Sequence, residues 1–581
     1  MDGRALAAGV AAAFQASLLA ALIAGGPCVF DARAEETPNV LTFPSPGDTD
    51  QAPLSPALAP AGEDAVPASA PAGEDEPEVA PAAAPPGDEG REPADATVTT
   101  AAPEVPAHPI VAAIRSKLQD PALRQRAHAG DLAALEAHYG ALTGPPSWIT
   151  SMGFSAKAQA LIGEIEKAGN WGLDPSAFDL PAASDLPATA EAQGHAEIKL
   201  VLAALKYVRF ARGGRLAPSR ISDLFDQKPN ARDPNTVLTE LASASDAGAY
   251  LRGLHPKHEQ FEGLRQALAK AVAKAKARGV KPERDAAVQR LIVNMERWRW
   301  MPPELGTYYV WNNVPSFTTR VMKGGKSIYV EKTIVGQVKY ATPIFSADMN
   351  SIVFNPEWVV PETIKLEDIG PRLRQRGPRG GPDLSVLRNN KLSVSLQGRA
   401  VDAATIDWGR ANILSYTFTQ ASGPENVLGV LKFNFPNRHA IYMHDTLQPA
   451  LFNQTVRTLS HGCIRVHKPE RLAALLLKED KGWPAQRVKD LIAKGKNSAV
   501  VLNRPVPVHL TYFTVAFDGA GEMRRYDDVY GLDKKMAASL FGKSELLQAE
   551  APAAAKKTKK RSAAHVGAAR GPTTIPGLFG N

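Results

Sequence analysis

The sequence predicts an α+β chain in which a helical N-terminal part precedes a mostly β domain carrying one insertion. Three observations predict it. Between His108 and about Glu283, apolar residues recur at helical spacing, as in Ile162 with Ile165 and Leu200-Val201 with Leu205. After Gly306 the period falls to two. Tyr309-Val310-Trp311, Ser327–Val330, Ile352-Val353-Phe354 and Leu392/Val394/Leu396 read as strands between Gly, Pro and Asn turns. A basic, Gly-rich run from Arg372 to Gly381 interrupts that strand series and marks an insertion over about 365–415.

The elements follow in order. In residues 1–34, Arg4 precedes an Ala/Leu-rich stretch to Gly26, and Ala32-Arg33-Ala34 forms a cleavage triplet before Glu35. This reads as an export signal, with an uncleaved membrane anchor as the alternative, because the apolar stretch runs for about 22 residues. Residues 35–107 hold fifteen prolines, fifteen acidic residues and the single basic residue Arg91. Such a stretch buries too little apolar surface to offset its ordering entropy, so a disordered acidic spacer is expected. Turns at Gly144-Pro145-Pro146, Asp174-Pro175 and Gly213-Gly214 punctuate the helical part. Residues 285–300 form an amphipathic helix with Val288, Leu291, Ile292, Met295 and Trp298 on one face, stopped by Pro302-Pro303. A helix returns after Pro469, and strand signals resume at Ala499–Leu502 and Val508–Phe517. Residues 549–581 read as a flexible basic tail able to touch an anionic wall or membrane surface.

Charge and cysteine usage narrow the function classes. The net charge of +7 combines about −14 in residues 35–107 with +21 elsewhere, so the body of the chain favours an anionic neighbour. No nucleic-acid motif accompanies that charge, and export conflicts with such a role. Two cysteines exclude a disulfide scaffold and any Cys-rich zinc or iron–sulfur site. Removal of the leader would take Cys28 and leave Cys463 alone.

Cys463 lies in the densest chemical constellation of the chain. Tyr442-Met443-His444-Asp445-Thr446 is followed by Ser460-His461-Gly462-Cys463-Ile464-Arg465-Val466. A Cys–His pair can share a proton as thiolate and imidazolium, which makes the sulfur nucleophilic near neutral pH. Gly462 permits a tight turn that would aim the amides of Gly462 and Cys463 at a developing oxyanion. Arg465 would lower the thiol pKa or hold a substrate carboxylate.

Ser-His-Gly-Cys-Ile-Arg resembles the signature of the L,D-transpeptidases of the YkuD type, bacterial cell-wall enzymes. The likeness to their large periplasmic members continues in Asn294-Met295-Glu296-Arg297-Trp298-Arg299-Trp300, Val353-Phe354-Asn355-Pro356, Asn426-Val427-Leu428-Gly429, Lys432-Phe433 and Ile441–Thr446, and spans roughly residues 110–535. It implies a helical scaffold domain over 108–284 and a catalytic domain over 285–535, whose insertion at 365–415 serves as a lid. It makes Cys463 the nucleophile and His444 the general base, places the oxyanion hole on the Gly462 and Cys463 amides, and has Asp445 orient the imidazole through its backbone carbonyl. Ser460 and His461 are expected to support this site, and Tyr442 and Arg465 to contact substrate. The implied reaction takes peptidoglycan stem peptides as donor and acceptor, needs no cofactor, takes place in the periplasm and is open to trapping by a carbapenem. The members' peptidoglycan-binding module has no counterpart here, since only the Lys/Ala-rich Ala267–Arg284 occupies its place.

Other readings stay open at this point. Zinc could be held by His439, His444, His461, Cys463 and His467, although their spacing matches no closed structural site. Trp298 and Trp300 could form a glycan-stacking platform, but tryptophans two apart on a helix point to different faces, which favours packing for at least one. The acceptor could be a second stem, water, a free D-amino acid or the amino group of an outer-membrane protein. A non-catalytic wall binder would have no use for the Cys463/His444 pair.

Overall fold

The computed structural model describes residues 108–150, 152–182, 188–377 and 380–542. The expected leader, acidic spacer and basic tail lie outside the described residues, as does Arg379 in the basic run. Local punctuation sets the helices. Ser155 caps α1 (Ala156–Glu166), Thr189 caps α2 (Ala190–Gly213), and α3 (Glu259–Ala277) follows His258. Asp285 opens α4 (Ala286–Arg299) by accepting from the amides of Ala287 and Val288 at 2.9 and 3.1 Å. The first two of these helices share a core in which Leu161, Ile165, Leu200, Val201 and Leu205 are fully or almost fully buried. Among the described residues, no helix is long and apolar enough to cross a membrane.

The period-two segments form strands β1 (Tyr308–Asn313), β2 (Thr318–Lys323), β3 (Lys326–Gly336), β4 (Ser346–Phe354), β5 (Trp358–Val359), β6 (Leu392–Leu396), β7 (Arg399–Ala400) and β8 (Tyr416–Gln420). Further along come β9 (Leu431–Asn434), β10 (Met443–His444), β11 (Thr458–Ser460), β12 (Ile464–Val466) and β13 (Ser498–Thr511). The large sheet runs β11-β3-β12-β10-β9-β4-β13-β1-β2, and a further pairing of β2 with β3 closes it on itself. Leu431, Phe433, Met443, Ile464, Val508 and Leu510 fill its interior with Leu472 and Leu476 of the helix Pro469–Lys481.

The insertion is a folded unit with its own four-stranded sheet, β5-β8-β6-β7. It is wider than the interruption at 365–415, because β5 (Trp358–Val359) and β8 (Tyr416–Gln420) lie on either side of that span. Trp358, Val360, Phe418 and Leu428 bury themselves against Ile364, Ile369, Leu392, Val394 and Trp408.

The Asn294–Trp300 segment welds the helical part to the β domain. The Asn294 side-chain oxygen accepts from the amides of Thr514 and Val515 at 2.9 and 3.2 Å, and Arg297 pairs with Asp533 at 2.5 Å. Glu296, fully buried, accepts from the amides of Arg215 and Leu216 and from Arg299. Both tryptophans are packing residues, which removes the glycan-platform reading. Trp298 is stacked between Phe513 and His258, with ring centroids 4.5 and 4.4 Å away, and Trp300 meets Phe225 edge-on at 5.2 Å. The Lys/Ala-rich stretch from Ala267 begins inside α3 and packs Leu268 and Ala275 into the core shared with α4.

Candidate active site

Alternation along three neighbouring strands assembles the site. β9 runs antiparallel to β10 with Lys432 opposite His444, and β10 runs parallel to β12 with His444 opposite Arg465. Side chains two apart on a strand share a face. Tyr442, His444, Lys432, Cys463 and Arg465 therefore stand on one side of the sheet, while Met443, Phe433 and Ile464 point into the buried core. Tyr442, His444, Ser460, His461, Cys463 and Arg465 all line one cavity of about 800 Å³. The insertion supplies its opposite wall with Trp358–Lys365, Asn389 and Asn390.

The turn before the sulfur is tightly tied. Ser460 Oγ donates to the Cys463 carbonyl at 2.6 Å and accepts from the Gly462 amide at 3.2 Å. Thr342 Oγ1 donates to the Gly462 carbonyl at 2.7 Å. Gly462 has φ +109, and a side chain there would press on Ile441, so its conformation is glycine's. Its amide, expected to aim at an oxyanion, is instead engaged by Ser460. A serine two residues upstream competes for that donor.

His461 faces the insertion. Its ring stacks on Tyr340 with centroids 4.2 Å apart, and its Nε2 lies 3.5 Å from Asp368. Glu367, beside Asp368, accepts from the Tyr340 hydroxyl at 2.5 Å and pairs with Lys339. The Asp445 carboxylate accepts from the Val430 amide at 3.0 Å and fills the space beside Gly429, where a Cβ would overlap it at φ +63. Its burial pushes that carboxyl up. His439 points to Asp226 and His467 to Glu331, both at 2.8 Å. The five residues of the zinc reading therefore diverge, and among the described residues no three such side chains are placed to hold a metal ion.

The protonation state differs from the expected thiolate–imidazolium pair. Burial pushes the Cys463 thiol up, against the pull of the Tyr442 backbone, Lys432 and Arg465. Burial, together with Arg465 and Lys432, holds His444 down to about 3, although the backbones of Asp445 and Leu428 favour its charged form. Both shifts favour a neutral thiol beside a neutral imidazole. Burial drives both shifts, and the two nearby cations, Arg465 and Lys432, oppose it at the thiol and add to it at the imidazole. The thiol lies 3.9 Å from the Ala440 carbonyl and also meets Tyr442. The Lys432 ammonium lies 4.3 Å from the Tyr442 ring centroid, and its ordinary pKa is also lowered by burial. Sequence reasoning gave roles to neither Lys432 nor Ala440. The strand register was the signal for Lys432, whereas Ala440 carries none.

Buried neutral histidines predict acid lability. His444 falls from 6.5 to about 3 and His258 to about 4, while burial also lowers His255 and His509. Each binds its proton more weakly folded than unfolded. Its contribution is intact above pH 6.5 and is lost as pH falls toward the folded value. Glu197, buried and raised to about 7, acts oppositely, losing stability as pH rises from 4.5 through 7. With four histidines against it, Tm is expected to fall steadily between pH 6.5 and 4. A flat calorimetric profile there would contradict the neutral, buried state of these rings.

Comparison with known proteins defines the class. Residues 307–492 match the L,D-transpeptidase catalytic domain family, YkuD, and residues 133–268 match the scaffold domain family. The chain thus carries a YkuD-type L,D-transpeptidase catalytic domain behind a helical scaffold domain. A curated Haemophilus influenzae protein named "Putative L,D-transpeptidase" is 34% identical over 249 residues, 43% of this chain. That match spans 49% of the relative's length. Solved structures similar to parts of the chain include an L,D-transpeptidase from Mycobacterium smegmatis, at 12% identity and TM-score 0.18, covering 35% of this chain and 58% of that one. Another is L,D-transpeptidase 3 from Mycobacterium tuberculosis in complex with a faropenem-derived adduct, at 13% identity and TM-score 0.17, covering 35% and 60%.

Proposed function

We propose that this chain is a peptidoglycan L,D-transpeptidase that works through a Cys463 thioester. The observation that carries the proposal is the register that pairs His444 with Arg465 on adjacent parallel strands, with Cys463 in the turn that leads into the second strand, so that both side chains line one cavity. Cys463 Sγ attacks the carbonyl of the third residue, meso-diaminopimelate, of a donor tetrapeptide stem. His444 takes the thiol proton and passes it to the departing amine, so terminal D-Ala leaves and a thioester remains. The side-chain amine of a second stem's third residue then attacks the thioester, giving His444 its proton and forming a 3→3 cross-link as the thiol is restored. The energy of the cleaved peptide bond is kept in the thioester, so no nucleotide or cofactor enters.

Substrate charge completes the machinery. Stem peptides carry carboxylates, and one brought near Lys432 or Arg465 offsets the cations that suppress His444. The imidazole then gains proton affinity when it is needed, and the unliganded thiol stays protonated. The Cys463 amide supplies an oxyanion donor, with Tyr442 beside the sulfur as a further contact. The wall formed by the insertion acts as a lid that excludes water, favouring an amine over hydrolysis. Export by the leader places the enzyme in the periplasm, and the basic tail offers contact with an anionic wall or membrane surface.

Mass spectrometry of purified sacculi incubated with the enzyme tests this reading. Dimers linked 3→3 are the expected product. Tripeptides, exchanged D-amino acids or stem-linked protein would reassign the acceptor to water, free D-amino acid or an outer-membrane protein. Unchanged tetrapeptides would overturn the proposal.

A further inference from the structure

The loop at 435–441 is held in a costly conformation from two sides. Ala440 adopts φ +53, a left-handed value that an L side chain resists. Inside the loop, the Asn437 side chain donates to the carbonyls of Phe435 and Ile441, both at 2.7 Å, and accepts from the amides of His439 and Ile441. Outside it stands Asp226, more than two hundred residues earlier in the chain. Arg438 grips that carboxylate with two nitrogens at 2.7 and 2.5 Å, and His439 Nε2 reaches it at 2.8 Å.

Asp226 is itself rigidly mounted. Its amide donates to the Ile344 carbonyl at 2.9 Å, and the Ile344 amide donates to Leu224 at 2.7 Å, which adds a short parallel bridge to the β domain. Phe225 beside it is buried against Trp300, and Phe345 packs on the His439 ring at 5.2 Å. A forked guanidinium–carboxylate pair fixes direction as well as distance.

We propose that Asp226 is a positioning residue of the catalytic site: by clasping Arg438 and His439 it holds the Ala440 carbonyl against the Cys463 thiol and fixes one wall of the cavity. The helical part then completes the site, and a catalytic domain cut free of it lacks one anchor of its own active-site loop. The kinetic part of this inference rests on the proposed acyl transfer; the clasp itself does not.

The test compares the full chain with its Asp226→Asn and Asp226→Glu variants by hydrogen–deuterium exchange, together with Cys463 acylation by meropenem read by intact mass. Iodoacetamide alkylation of the same thiol is the control, since so small a reagent needs no shaped wall. Asp226→Asn is expected to raise exchange in residues 436–442 by about tenfold while the barrel strands stay protected. It should slow acylation by about tenfold to a hundredfold, the scale of a small misplacement of a reacting group, with alkylation little changed. Asp226→Glu should recover most of both. Unchanged exchange in 436–442 would overturn the inference, as would equal loss of acylation and alkylation. If Asp226→Asn fails to fold, His439→Gln with Arg438→Gln breaks the clasp from the loop side and must give the same local exchange. A wild-type chain that meropenem does not acylate would refute the transpeptidase reading, and the exchange arm would still decide the clasp.

Discussion

Cys463→Ala is expected to abolish acyl-enzyme formation with a tetrapeptide stem or a carbapenem while the fold survives. The sulfur is the reacting atom, and no other cysteine stands among the described residues to replace it. The side chain lies at the edge of the barrel core, with Tyr442 and the Ala440 carbonyl as its polar neighbours, so its loss removes one small group from the periphery of that core. Tm should therefore shift by no more than a few degrees, in keeping with a change of under about 1 kcal/mol. Intact-mass measurement after incubation with a carbapenem checks the first half and calorimetry the second. D-Ala release by the variant would remove Cys463 from the mechanism.

His444→Gln is the next largest effect, and it separates two descriptions of the pair. Loss of a general base should slow acylation by about a hundredfold to ten-thousandfold. Because the resting imidazole is neutral and the thiol protonated, iodoacetamide alkylation near pH 7 should hardly change in the same variant. In the wild type, alkylation should climb steadily with pH through the ordinary thiol value of 9.0, without an acidic plateau. A plateau below pH 7, or an alkylation rate that falls with acylation, would mean that the pair is ionised before substrate arrives.

Much of the site was legible because its chemistry is local in sequence. The Cys463 turn and the His444 strand are short motifs, and period-two alternation alone puts Tyr442 with His444 and Cys463 with Arg465. The switch of period after Gly306 likewise marked the passage from helices to strands. What escaped depends on residues brought together from far apart. Asp368 and Tyr340 reach His461 from other elements, and Asp226 reaches the Ala440 loop from the helical part. Nothing near those positions signals a partner. The insertion's extent was hidden for a related reason. Its sheet recruits Trp358 and Phe418 from stretches on either side of the 365–415 interruption. The direction of the pKa shifts escaped because it depends on burial and on cations brought to one ring from neighbouring strands.

β10 and β12 are ladder neighbours about 4.8 Å apart, and Cys463 sits two positions before Arg465, the residue opposite His444, so strand spacing and register together set how ring and sulfur meet. The intervening excursion, residues 445–457, leaves the sheet and returns without contributing to that distance. Changes in that excursion beyond Asp445 would reshape the mouth of the cavity, where Thr446, Leu447 and Gln448 stand, while the strand register that sets His444 beside the Cys463 turn stays as it is.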